Sequence, residues 1–390
     1  MTSTTLAATG QWTRTGDLPA PSSWYGRHDG AVTLTGGKVL AAGGATASQA
    51  ARTQAALYDP GAKTWTATGA LQTSRRLHTM TLLDDGKVLV AGGISGTAQF
   101  PAPGLASAEL YDPATGTWTA TGGLHGNRWG HSAALLQNGK VLVAGGATVR
   151  SGQSVKALRT AELYDPATGT WTEAAPMTDA RSGHVAVVLP NGRVLVVGGV
   201  VPVAKDAEAA LAFCEIFDPA NGTWAPTGDL LAARGRHQAT PLSDGTVLAT
   251  GGSAPGGPGD GTFDPYSRAT AELYTPGTGA WTALPDMPSG RGLHRAVPLG
   301  QKRALVIGGT GSVRDGVGYA GALIFDGATK TWTPAGGLAV GRWGFAVAKL
   351  AGAAGVLVTG GVVRSGLAAA VLGTDELTVA TEVFTEAVVP

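Results

Sequence analysis

The 390-residue chain has one cysteine, Cys214, so neither an intrachain disulfide nor a multi-cysteine metal site can form. Charge is sparse as well: 14% of residues are Asp, Glu, Lys or Arg and the net charge is +1. The basic residues are scattered, with no arm or stripe able to neutralise a phosphate backbone, so no nucleic-acid partner is expected. No run of eighteen apolar residues occurs, and the first twenty residues lack the charged and apolar regions of a secretory signal. The expectation is a cytoplasmic protein with no membrane contact. Gly-x-Ser-x-Gly, Walker and His-Glu-x-x-His motifs are missing, which removes the usual support for hydrolase, kinase and zinc-protease chemistry. Asp260 and Asp264 do not follow the spacing of a calcium loop. No cofactor and no metal are expected.

What the chain has in quantity is glycine, at 61 residues, and proline, at 22, with no helical periodicity. That composition describes many short strands joined by tight turns, an all-β fold. A Gly-Gly pair after an apolar strand returns at Gly43, Gly92, Gly145, Gly198, Gly251, Gly308 and Gly360. Tryptophan returns at Trp12, Trp65, Trp118, Trp171, Trp224, Trp281 and Trp332, and an aromatic at Tyr58, Tyr111, Tyr164, Phe217, Tyr274, Phe325 and Phe384. The period is about fifty residues, the signature of a repeat architecture. One unit reads RSGHVAVVLPNGRVLVVGG, a variable loop, then CEIFDPANGTW. Asp85-Gly86 and Asn191-Gly192 predict two-residue hairpin turns between strands 1 and 2. The Asp-Pro-Ala-Thr-Gly segments predict a second tight hairpin between strands 3 and 4. Each unit is thus a four-stranded antiparallel blade.

A Gly-Gly after strand 2, Tyr in strand 3 and Trp in strand 4, seven times over, resembles the kelch-repeat family. The resemblance spans residues 1–390 and implies a single seven-bladed β-propeller with strand 1 of each blade innermost. Trp12 precedes the first Gly-Gly, whereas Phe384 is followed by no Trp, so the N-terminal strand is expected to complete the last blade and remove a sheet edge. Cys214 falls in an apolar strand and reads as a buried, inert thiol. A monomer is expected.

Residues present in every blade are best explained by packing. This covers Arg75/His78, Arg128/His131, Arg181/His184, Arg234/His237 and Arg291/His294, with Tyr25/His28 in blade 1 and Arg342/Phe345 in blade 7. Departures from the repeat carry the functional expectation. In the connections from strand 4 to strand 1, Trp24, Tyr25, Arg27, Arg76, Trp129, Arg236 and Trp343 interleave guanidiniums and indoles suited to an anionic or aromatic substrate. At the head of strand 1, Asp29, Gln238 and Arg295 are the polar exceptions; with His28 they form the candidate catalytic set, Asp29 as acid or base and Arg295 holding an oxyanion. The strand 2–3 connections, which differ most in length, add Arg52, Phe100, Arg150, Lys205, Asp260, Tyr266, Arg314, Tyr319 and Arg364.

Similarity to kelch propellers of the sialic-acid mutarotase type implies a cofactor-free isomerase or cyclase acting on a small molecule at the propeller mouth. The Ala- and Gly-rich, Arg-rich usage is that of a GC-rich bacterial gene, which suggests biosynthesis in specialised metabolism. Galactose-oxidase copper chemistry lacks its Tyr-His pair here. The alternative is a protein-interaction module using the same face.

Overall fold

Short apolar segments separated by turns form seven antiparallel sheets of four strands. In blade 3 the order from the inside out is Ser132–Leu135, Val141–Ala144, Ala161–Asp165 and Thr170–Ala174. The second strand is buried at every position, because neighbouring blades cover both of its faces; this is why it is a continuous run such as Val194–Val197 rather than an alternation. Innermost strands follow one another around a ring, and Ala31–Thr33 of blade 1 lies beside both Thr79–Leu82 and Ala346–Lys349. This is a seven-bladed β-propeller. The computed structural model describes residues 10–24, 30–97, 102–149, 154–204, 207–253, 267–311, 316–352, 355–372 and 374–387. Among these, no helix is long and apolar enough to cross a membrane.

The repeated aromatics sit directly opposite one another on strands 3 and 4. Tyr111 faces Trp118 and Tyr164 faces Trp171, with ring centroids 5.0 Å apart in both pairs. Each pair also ties its blade to the one before: Tyr111 Oη and Thr68 Oγ1 are 2.8 Å apart, and Trp118 Nε1 donates to Gly69 O. The ring closes as the order of these markers implies. Gly10–Thr15 pairs antiparallel with Thr381–Glu386 as the outermost strand of blade 7, placing Trp12 opposite Phe384.

The turns between strands 1 and 2 are one residue longer than predicted. Gly192 takes the left-handed conformation, but Asn191 does not; Asn191 instead accepts the Arg193 N–H on its side chain. The three-residue loop therefore has glycine at its left-handed position, so both residues of the Asn-Gly pair need not have positive φ.

Topology gives the propeller two unlike ends. One carries the tight 1–2 and 3–4 turns; the other carries the 4–1 and 2–3 connections, extended by ribbons such as Val200–Ala204 with Ala207–Ala210 and Val362–Arg364 with Glu376–Leu377.

Candidate functional site

The repeated arginines are structural. Arg75, Arg128, Arg181, Arg234 and Arg342 each lie in the 4–1 connection and form a buried ion pair with Glu109, Glu162, Glu215, Glu272 and Glu382 of strand 3. Arg181 also donates to Gly198 O and Phe213 O, while Glu215 accepts the Thr178 backbone N–H, so each pair clamps a connection onto its blade. The histidines bridge neighbouring blades. His131 Nε2 lies 3.0 Å from Thr79 Oγ1, and His184 Nε2 lies 2.8 Å from Ser132 Oγ. Burial, with Arg75 nearby, holds His78 down to about 3, so it stays neutral. These glutamates recur in the sequence as clearly as the arginines; the signal that could have paired them is the shared period of Arg in one segment and Glu in another.

Blades 1 and 6 lack the pair. Ala56 and Leu323 stand where the other blades have Glu, and Pro19 and Pro288 stand where the others offer a backbone N–H to it. Proline removes the donor that the missing carboxylate would leave buried and unsatisfied. In blade 6 the guanidinium of Arg291 remains and lies over the Tyr319 ring. Blade 1 has Ser22 at the arginine position. Its Trp24 ring lies against Gly360 as the His78 ring lies against Gly43, so Trp24 fills the histidine's place.

Several candidate substrate contacts are consequently part of the core. Trp24 is buried in the seam between blades 1 and 7. Trp343 is fully buried against Leu293 and Val362, and Trp129 packs with Ile94 and Ala147. Arg76 is also buried. At the head of strand 1, Gln238 and Arg295 are buried as well. Arg295 donates to Trp24 O at 2.9 Å and lies over the Phe345 ring, so it spans from blade 6 past blade 7 to blade 1. Tyr25, Arg27, His28 and Asp29 lie outside the described residues, as do Phe100, Arg150, Lys205, Asp260, Asp264, Tyr266 and Arg314.

Arg236 is different. It sits at φ 52°, where the equivalent residues are Gly130, Gly183 and Gly344, or Leu77 and Leu293. A non-glycine residue there costs roughly 1–2 kcal/mol. Leu293 gains core packing in exchange, whereas the Arg236 side chain is 36% exposed, pairs with Glu208 at 2.9 Å and donates to Ser253 Oγ at 3.3 Å. A partly exposed ion pair of this kind contributes about 0–1 kcal/mol.

The two ends of the propeller differ in surface chemistry. Ion pairs close the turn end: Lys38 with Asp59, Lys140 with Asp165, Arg193 with Asp218 and Lys302 with Asp244. The exposed large hydrophobics among the described residues are Val203, Leu231, Val317, Leu367, Val371 and Leu372, and all six belong to the connection end. Four of them gather on blades 6 and 7. Val317 bridges to Arg364, and the segment bearing Leu367, Val371 and Leu372 continues to Asp375, whose N–H donates to Ala47 O of blade 1.

A family model described as the KLHDC2/KLHL20/DRC7 Kelch-repeats domain matches residues 27–252. The chain is a kelch-repeat protein. Among curated relatives of this kelch chain, Kelch-like protein terF of Aspergillus terreus is 28% identical over 59% of the chain and 49% of its own length. Kelch-like protein 36 of Rattus norvegicus is 26% identical over 72% of the chain and 42% of its own length. The chain therefore spans about half the length of these relatives. Among solved structures, a copper-bound fungal alcohol oxidase of the AA5 family superposes with a TM-score of 0.70 at 20% identity, covering 97% of this chain and 76% of the oxidase. The structure of YjhT gives a TM-score of 0.58 at 17% identity, covering 78% and 93%.

The described residues of this kelch propeller do not offer the donor set that copper of the oxidase kind would need. Among the described residues, no three His, Cys, Asp or Glu side chains gather to hold a metal ion. Cys214 is sealed in the core, where burial pushes its thiol up to about 11.

Proposed function

We propose that this kelch propeller is a binding platform whose connection end docks a protein partner. The observation that carries this reading is that the six exposed large hydrophobics among the described residues all lie at one end, opposite an end closed by ion pairs. Clustered apolar side chains with arginine at their margin match the anchor-and-rim composition of protein interfaces. Arg236 and Arg364 supply that margin, and Arg236 takes a left-handed conformation that three of the other blades give to glycine.

The test is affinity capture from extracts of the source cells with wild type, a Leu367→Asp/Leu372→Asp variant and a Lys140→Ser control on the turn end. A partner held by wild type and the control, and lost with the double variant, supports the reading; capture that is indifferent to the double variant contradicts it. Both substituted leucines are exposed, at 79% and 71%, so the fold should tolerate the change.

A second reading is isomerase or cyclase chemistry on a small anionic or aromatic molecule, favoured by Gln238 and Arg295 standing polar on adjacent blades at the head of the innermost strands. Thermal-shift hits from aromatic and carboxylated metabolites, lost on Arg236→Gly but retained in the Leu367→Asp/Leu372→Asp variant, would move the weight to it.

A further inference from the structure

Blade 1 contains a cavity of about 150 Å³ between the segment leading in from the closing strand and strands 2 and 3. Its buried floor comprises Leu18, Ser22, Trp24, Ala41, Gly43, Ala55 and Ala56, and its lip includes exposed Pro19, Gln54, Ala67 and Ala70. This is the space that other blades fill. In blade 2 the Arg75 side chain donates to Gly92 O and Ser107 O and pairs with Glu109; the corresponding blade 1 residues are Gly43, Gln54 and Ala56, with Ser22 in place of the arginine. Blade 6 also lacks the glutamate, but there Leu323 occupies the position and is itself buried. Blade 1 has both side chains shortened, and the hole stays open.

One wall of that hole carries Arg52. Its guanidinium takes part in no ion pair among the described residues, and its Nε is buried with no hydrogen-bond partner. A partly buried guanidinium whose Nε is out of water beside an apolar void is an unfinished interaction, because that donor is unmatched. A carboxylate would match the guanidinium in geometry and charge, and the rest of such a ligand would meet Leu18, Trp24 and alanine methyls. An apolar cavity of about this volume admits a benzene-sized molecule.

We propose that blade 1 holds a binding site for a small monocarboxylate whose apolar body is no larger than one aromatic ring, with Arg52 as its anion anchor. The site lies among the 4–1 and 2–3 connections of blade 1, whereas most of the exposed apolar side chains gather on blades 6 and 7, and it does not depend on the docking reading. It exists because the arginine and glutamate that lock the other connections are absent here, and proline at residue 19 removes the backbone donor that would otherwise have been stranded.

Benzoate serves as the probe and benzyl alcohol as its uncharged counterpart, followed by calorimetry and by the indole N–H resonance of Trp24, which lines the cavity and donates to Ala42 O. Wild type is expected to bind benzoate saturably and at least tenfold more tightly than benzyl alcohol. Arg52→Gln should remove that preference while leaving benzyl alcohol binding unchanged. Ala56→Leu, which copies blade 6, should abolish both with no fall in melting temperature. Equal binding of the two probes by wild type, no saturable benzoate binding, or undiminished benzoate binding by Arg52→Gln would each overturn the proposal. Because Arg52 is only partly buried, that variant decides the matter even if Ala56→Leu does not fold.

Discussion

At the scale of single residues, most of the charge in this propeller's interior is matched. Arg181 and Glu215 are both 0% exposed, and each satisfies other groups besides its partner. Removing one member of such a pair leaves a desolvated charge, at a cost of roughly 3–5 kcal/mol. Glu215→Gln should therefore lower the melting temperature markedly; a near-neutral result would mean the clamp contributes little. The buried histidines make a different prediction. His78 titrates near 6.5 when unfolded and is depressed to about 3 in the fold, so its neutral form is a native requirement. Its stabilising contribution is complete above about pH 6.5 and is lost progressively as pH falls toward 3, because the unfolded chain binds the extra proton first. His78→Phe, the arrangement blade 7 has at Phe345, should flatten the decline in melting temperature between pH 6.5 and 4. An unchanged slope would assign the acid sensitivity to other groups.

At the scale of elements, the strands were legible and their irregularities were not. Gly-Gly, Tyr and Trp announce a blade because each solves the same local problem seven times, and a repeated solution shows in the sequence as a period. The turns between strands 1 and 2 came out a residue long because an Asn-Gly pair suits two hairpin geometries, and the bonding of the Asn191 side chain decides between them. Trp24, Trp129 and Trp343 looked like exposed exceptions in the connections. The structure folds them inward, because a connection that bridges to the start of the 2–3 connection, as Trp343 does to Val362, turns its side chain into the core. The cavity in blade 1 was invisible for the opposite reason: Ala56 and Ser22 are unremarkable residues, and only the missing partners give them meaning. Conversely, the exposed leucines of the segment 366–372 escaped notice because a solitary apolar residue in a loop has no period to mark it.

At the scale of the whole molecule, stability depends on a ring of blades that closes on itself. Every blade leans on a neighbour through a Trp or a Tyr bond, and blade 7 is completed by a strand from the other end of the chain. Deleting residues 1–18 would strip the outer strand from blade 7, remove the Trp12 indole from Ala335 O and take Leu18 from the blade 1 seam. The expected outcome is a large fall in melting temperature or an insoluble product, and an unchanged melting temperature would show that closure is dispensable. The same closure sets a timetable for synthesis. The strand Gly10–Thr15 leaves the ribosome before the strands of the seven blades that follow it, while its partner Thr381–Glu386 is made more than 360 residues later. At the usual pace of translation, that is a wait of roughly 20–70 s. For that interval Trp12 and one edge of the nascent sheet have no native partner, so a newborn chain must keep its own first strand from pairing with anyone else's until its last strand arrives.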